Sequence, residues 1–197
     1  MKTMIAIPAM DQMHTWTVQC LENLERVGEC KAEFVIRMQV ATARNILAQK
    51  AIEGGFDRVL WIDSDMAFDP DMMKRLSDDL DQGFDAVTGL YFSRSLPVKP
   101  IIYKSIDTET PEAEAYTDYP PDALFPIAGC GFGGLLMRTE ALVHYDDPPF
   151  LPFPHMSEDL SFCVRMAEKG YRLGCDSRVK LGHLGMIVFS EKLYKHP

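Results

Sequence analysis

The chain has 197 residues, 47% of them hydrophobic, and 29 acidic against 20 basic side chains give a formal net charge of −9. A chain of this length buries roughly 70% of its unfolded surface, so one domain spanning 1–197 needs neither disulfide nor metal to fold. No apolar run approaches the ~18 residues of a membrane span, residues 3–7 read as a strand and not as a secretory signal, and no Lys or Arg run offers a basic face to phosphates. An integral membrane segment and a nucleic-acid partner are therefore not expected.

Five cysteines (Cys20, Cys30, Cys130, Cys163, Cys175) without a C-x-x-C pair fit free thiols in a reducing compartment, and a cytoplasmic location is the expectation. Short apolar strands alternate with helical patterns. Residues 3–7 form a strand, followed by a helix over 14–27 with Cys20, Leu21, Leu24 and Val27 on one stripe and Gly28 after its end. A strand over 33–38 leads to Thr42 as N-cap, then to a helix with Ala43, Ile46, Leu47 and Ala51 inward that stops at Gly54 and Gly55. The third strand is 58–62. Asp69 and Pro70 read as N-cap and first helical residue of the next helix, whose stripe is Met73, Leu76 and Leu80 and which ends near Gly83. A strand over 86–90 follows.

Three successive strand-helix units predict a mostly parallel α/β sheet with helices on both faces, and ligands gather at the carboxyl ends of such strands. Beyond Pro97 the expectation is a strand over 98–103, an acidic surface excursion over 104–123, and a glycine-rich extended stretch over 127–137. Within the excursion Asp107, Glu109, Glu112, Glu114, Asp118 and Asp122 supply −6, leaving −3 for the rest of the chain. The last helix, 158–169, buries Leu160, Cys163, Val164 and Ala167 and stops at Gly170.

Asp63-Ser64-Asp65 directly follows the third strand, at the ligand edge of the sheet. In extended backbone i and i+2 share a side, so both carboxylates can converge on one hard cation, although two turn residues with Asx-type hydrogen bonds satisfy the same pattern. His183 stands between Gly182 and Gly185, with room to approach a metal or to hydrogen-bond backbone. Ser157 reads as an N-cap that puts Glu158 and Asp159 in a first helical turn, where the helix dipole favours carboxylates with or without a catalytic role. Gly129, Gly131 and Gly134 satisfy G-x-G-x-x-G, but 135–137 continues as a strand where a dinucleotide site requires a helix, so these glycines instead allow close backbone approach beneath a sugar. Phe150 and Phe153, in a proline-rich loop before Glu158, either stack on a sugar or pack internally.

Four segments in order resemble the nucleotide-sugar-dependent glycosyltransferases of the GT-A fold, in particular family 2. They are Met4-Ile5-Ala6-Ile7-Pro8; Ala43-Arg44-Asn45 through Trp61-Ile62-Asp63-Ser64-Asp65; the glycine run 129–134 with Leu135-Leu136-Met137-Arg138; and Ser157-Glu158-Asp159 with Gly182-His183. The resemblance implies a single GT-A (Rossmann-like) domain that moves a sugar from a nucleoside-diphosphate sugar to a carbohydrate or other hydroxyl acceptor. It implies that Asp63 faces the ribose and stands near the metal, that Asp65 binds Mn²⁺ or Mg²⁺ bridging the diphosphate, and that His183 is a further protein ligand. Asp159 would be the general base of an inverting transfer, with Glu158 beside it as an acceptor or structural contact. Pro8, Arg44, Arg94 and Gly133 would contact the donor. The acidic cluster that commonly follows the second strand in this family is replaced here by Ile36-Arg37-Met38-Gln39.

Two other readings stay open. A haloacid-dehalogenase-type phosphohydrolase also places D-x-D after a strand, but after its first strand and with Thr or Val two residues on, where this chain has the third strand and Ala67. A nucleotide-sugar-binding module without catalysis satisfies the same motifs.

Overall fold

The structure, a computed structural model, describes every residue except 109, 111, 186–189, 192, 193 and 195–197. Glu109 of the acidic excursion lies outside the described residues. The chain runs β1 (Lys2–Ala9), α1 (Thr15–Asn23), β2 (Glu29–Ile36), α2 (Val40–Glu53), β3 (Arg58–Ile62), β4 (Met66–Ala67), α3 (Met72–Leu80) and β5 (Ala86–Leu90). It continues with β6 (Ile102–Ile106), β7 (Ala113–Ala115), β8 (Leu124–Pro126), β9 (Gly129–Cys130), β10 (Gly134–Arg138), a 3-10 turn (Thr139–Leu142), α4 (Glu158–Glu168), β11 (Leu173–Lys180) and β12 (Gly182–His183).

Seven strands make the central sheet in the order β2-β1-β3-β10-β5-β11-β8. β1 is parallel to β2 and β3, and β5 to β11, while β10 is antiparallel to both neighbours and β8 to β11. The sheet is thus mostly parallel, with one reversed strand wedged into its middle. Alternation along the strands builds a core on each face. Met4, Ala6, Val59, Trp61, Leu135 and Met137 meet Leu47 and Ala51 of α2 and Phe162 and Met166 of α4. Ile5, Ile7, Leu60, Ile62 and Leu136 point the other way, onto Cys20 of α1 and Met73, Leu76 and Leu80 of α3. The expected α/β sheet with helices on both faces is what forms, with few helices, an arrangement compatible with a GT-A-like fold.

Boundaries moved where tertiary pairing outweighed local pattern. α1 stops at Asn23 because Leu24 is already extended (ψ 123°), so Val27 is not helical. β2 begins at Glu29, since Lys2 pairs with Glu29 and the ladder continues residue by residue to Ala9 and Ile36. Gln39, not Thr42, holds the N-cap position of α2. Asp69 and Pro70 form the turn before α3, where Met72 N donates to Asp69 O. The strand expected over 98–103 is shifted to Ile102–Ile106, and the stretch 127–137 is divided into β9 and β10. Ala167 is exposed on α4, and β8 and β11 had no counterpart in the sequence pattern. The excursion carries β7, which pairs with β6 in a small sheet ordered β7-β6-β9.

Candidate active site

β1 and β3 end side by side, and the turns that follow them line an open pocket of about 420 Å³. Pro8, Asp63, Asp65, Arg94 and His183 all border it. Met10, Met38, Gln39 and Val40 form its outer wall and are exposed. A cleft of about 500 Å³ between α2 and residues 142–149 is larger but contains none of the candidate side chains.

The segment after Asp65 turns back as β4, which pairs with β12 so that Met66 lies opposite His183. Leu184 N donates to Asp65 O at 2.7 Å, which carries the imidazole to the D-x-D turn. His183 Nδ1 lies 3.0 Å from Phe92 O. A carbonyl can only accept, so Nδ1 carries a hydrogen; in the neutral imidazole the Nε2 lone pair then faces Asp65 Oδ2 at 3.7 Å, and in the protonated ring an N–H does. With the ring neutral, two acceptors face each other across a gap that a cation can fill, and the backbone carbonyl behind the imidazole is the usual outer partner of a metal-binding histidine. Arg94 meanwhile places Nη1 2.6 Å from the same Asp65 oxygen and 3.1 Å from Leu184 O, so a cationic group already sits against this carboxylate. Burial alone would raise the Asp65 pKa; the cations that can face it without a bound metal, a protonated His183 first and then Arg94, overcome that and hold it below the ordinary carboxylate range. Among the described residues no group of three or more metal-ligating side chains converges. An ion held here would have Asp65 and His183 as its protein ligands and take the rest of its shell from diphosphate oxygens or water.

Asp63 faces the other way. Arg44, on α2, puts Nη2 3.1 Å from Asp63 Oδ1 and Nε 3.2 Å from Glu158 Oε1. Its side chain is 3% exposed and lies against the rings of Phe132 and Trp61, at 5.1 and 5.9 Å. Arg44 therefore lies beneath the pocket, not on its wall, and ties the D-x-D turn to the start of α4. Burial pushes the Asp63 carboxyl up against the pull of Arg44, with Asp65 adding to the rise; Glu158 is pushed up by burial in the same way, with Asp159 adding. Arg44, which burial would weaken, is kept charged by Asp63, Asp159 and Glu158.

Ser157 occupies the N-cap position of α4 without capping it through its side chain. Its hydroxyl instead donates to Asp159 Oδ1, which also accepts from Leu160 N at 2.8 Å, leaving Oδ2 of Asp159 available. Phe150 is fully buried against Trp61, Phe132 and Phe162, and Arg165 covers Phe153 at 4.1 Å, so of the two readings for Phe150 internal packing holds. Gly133 is buried and its N–H donates to the Tyr91 hydroxyl at 3.1 Å. Tyr91 was not singled out from sequence, although its place directly after β5, at the carboxyl edge where ligands gather, was a usable signal.

No known family profile matches the chain, and no curated protein matches it in sequence. Solved structures do resemble it in fold. A197 from STIV, a viral protein, is 21% identical and superposes with a TM-score of 0.72 over 94% of this chain and 86% of that one. GalNAc-T7 with UDP, GalNAc and Mn²⁺ is 12% identical, with a TM-score of 0.64 over 93% of this chain. The match spans 43% of the length of GalNAc-T7. At these identities the likeness is one of fold, and it includes a GT-A glycosyltransferase. No helix among the described residues is long and apolar enough to cross a membrane.

Proposed function

We propose that this chain is a metal-assisted glycosyltransferase that moves a sugar from a nucleoside-diphosphate sugar to a hydroxyl acceptor. The observation that carries the reading is His183 Nε2 facing Asp65 Oδ2 at 3.7 Å, with Nδ1 committed to Phe92 O, directly after the strand that carries D-x-D. The fold likeness to a protein binding UDP, GalNAc and Mn²⁺ makes a sugar donor the ligand class of choice.

In this mechanism Pro8, Met10, Met38 and Val40 pack around the nucleoside and exclude water from one of its faces. Asp65 and His183 would hold Mn²⁺ or Mg²⁺, which would offset the negative charge growing on the departing diphosphate. Arg94 moves off Asp65 or turns toward the phosphates, as its 2.6 Å contact and its half-exposed side chain allow. Asp63, fixed by Arg44, accepts hydrogen bonds from donor hydroxyls. The acceptor hydroxyl gives its proton to Asp159 Oδ2 as its oxygen attacks the anomeric carbon from the side opposite the diphosphate, so the configuration inverts. Glu158 keeps Arg44, and through it Asp63, in place.

A second reading draws on Arg94: its contact with Asp65 suits a binding module in which a guanidinium, not a metal, meets the diphosphate. Calorimetric titration with UDP and with GDP, each with and without Mn²⁺, separates the two. Metal-assisted binding predicts nucleotide affinity that depends on Mn²⁺ and is lost in Asp65→Ala and His183→Ala. Equal affinity without Mn²⁺, abolished only by Arg94→Ala, would establish the module instead.

A further inference from the structure

Tyr91 stands at a junction that the proposed chemistry leaves unexplained. It follows β5 and is 3% exposed. Its ring meets the His183 imidazole edge-on, with centroids 5.7 Å apart and planes at 79°. Its hydroxyl accepts the Gly133 N–H at 3.1 Å. The next residue supplies the carbonyl that fixes the His183 tautomer, and Arg94, two residues further, reaches Asp65. Burial, then the nearby Asp63, pushes the Tyr91 pKa well above its ordinary value, so the side chain stays a neutral hydrogen-bonding group and is no base.

The glycine run is shaped to this tyrosine. A Cβ on Gly131 would come within 2.1 Å of the Tyr91 hydroxyl oxygen. One on Gly133 would meet the Tyr91 ring carbon that bears the hydroxyl at 3.1 Å and Met66 Sδ at 3.0 Å. These two glycines are therefore required by a side chain that fills the space above them, and not by a turn, since neither has a positive φ.

We propose that Tyr91 is a positioning residue that sets the distance between the glycine run and the metal side of the site, acting through the His183 ring on one side and the Gly133 amide on the other. The inference rests on the metal-assisted reading above. It divides the side chain into two parts with separate effects. The ring restricts the imidazole to the orientation in which Nε2 faces Asp65. The hydroxyl fixes the backbone at Gly133.

The test is binding of Mn²⁺ alone, followed by electron paramagnetic resonance, to the wild type, His183→Ala, Tyr91→Phe and Tyr91→Leu. Outer partners of a ligating histidine are worth about 10–100-fold in metal affinity, so Tyr91→Leu should weaken Mn²⁺ binding at least tenfold. Tyr91→Phe, which keeps the ring, should stay within about twofold of the wild type while hydrogen exchange at the Gly133 amide accelerates, because its acceptor is gone. Undiminished Mn²⁺ binding by Tyr91→Leu alongside a weakened His183→Ala would overturn the proposal and leave the metal site standing. Undiminished binding by His183→Ala as well would remove the metal reading and this proposal together. Should Tyr91→Leu melt below the assay temperature, Gly131→Ala replaces it, since the added methyl drives the ring aside without deleting it. The same tenfold loss is then expected, and wild-type affinity in that variant overturns the proposal.

Discussion

In the proposed transfer Asp159 would meet the acceptor with one oxygen already engaged. Its Oδ1 holds the Ser157 hydroxyl and the Leu160 amide, and an asparagine can keep its amide oxygen in that position while losing only the proton-accepting oxygen. Asp159→Asn should therefore leave nucleotide and Mn²⁺ affinity intact and lower transfer about 10²–10⁴-fold, the contribution of a positioned base. Both quantities are measured on one preparation; a variant that binds normally and transfers at the wild-type rate would pass the role to Glu158. Arg44 illustrates why a lysine is no equivalent at such a place. Its planar fork reaches two carboxylates on different elements at 3.1 and 3.2 Å and still lies 5.1 and 5.9 Å from two ring centroids, which a compact ammonium cannot do.

Elements are held to one another by polar contacts as well as by the two cores. Asp79 on α3 and Asp176 on β11 are both buried, and Arg178 contacts them at 3.2 and 2.8 Å. Their Oδ2 atoms are shielded and take no other hydrogen bond among the described residues. Burial and the neighbouring Asp176 push Asp79 up to about 7, while Arg178, against the effect of burial, keeps Asp176 below its ordinary value. The folded pair thus retains one proton that an unfolded aspartate releases near pH ~4, and its contribution to stability falls as pH rises from ~4 to ~7. Asp79→Asn can donate to Asp176 without titrating. The melting temperature of the wild type should therefore fall more steeply than that of the variant between about pH 5 and 7.5, and parallel curves would refute the shared proton.

The sequence made β3 and β5 legible to the residue, because both are short runs of buried apolar side chains between turn residues. It made Asp63, Asp65 and Ser157-Glu158-Asp159 legible through their places after a strand and before a helix. β11 was hidden because Asp176, Ser177 and Arg178 look like surface residues; Arg178 is indeed exposed, and its contacts with Asp176 and Asp79, with the Ser177 hydroxyl bonds to Pro120 and Ala123, account for Asp176 and Ser177 inside. The first four residues of β2 were hidden for a different reason: as an edge strand it leaves Glu29, Lys31 and Ala32 exposed, so backbone pairing with β1 and not composition defines it. Arg44 was legible as a candidate but not as a buried strut, since an arginine on a helix is by default exposed.

At the scale of the whole molecule, the reversed strand β10 has a consequence for how the chain comes off the ribosome. It lies between β3 and β5, both of which are synthesised well before it, and it supplies the hydrogen-bonded partner to each. Until Gly134–Arg138 emerges, β2-β1-β3 is a three-stranded sheet with an open edge and β5 is a strand with neither of its neighbours, a state prone to pairing with other chains. Acquisition of structure is therefore held back to a late, long-range step that closes large loops. A chain ended at Gly133 should show no cooperative melting transition and should bind a hydrophobic dye, whereas the full chain should melt as one unit. The order of synthesis thus makes the strand that joins β3 to β5 also the one that brings in the glycine run immediately before it, while α4 with Asp159 and β12 with His183 still follow, so the candidate site is completed only after the middle of the sheet has formed.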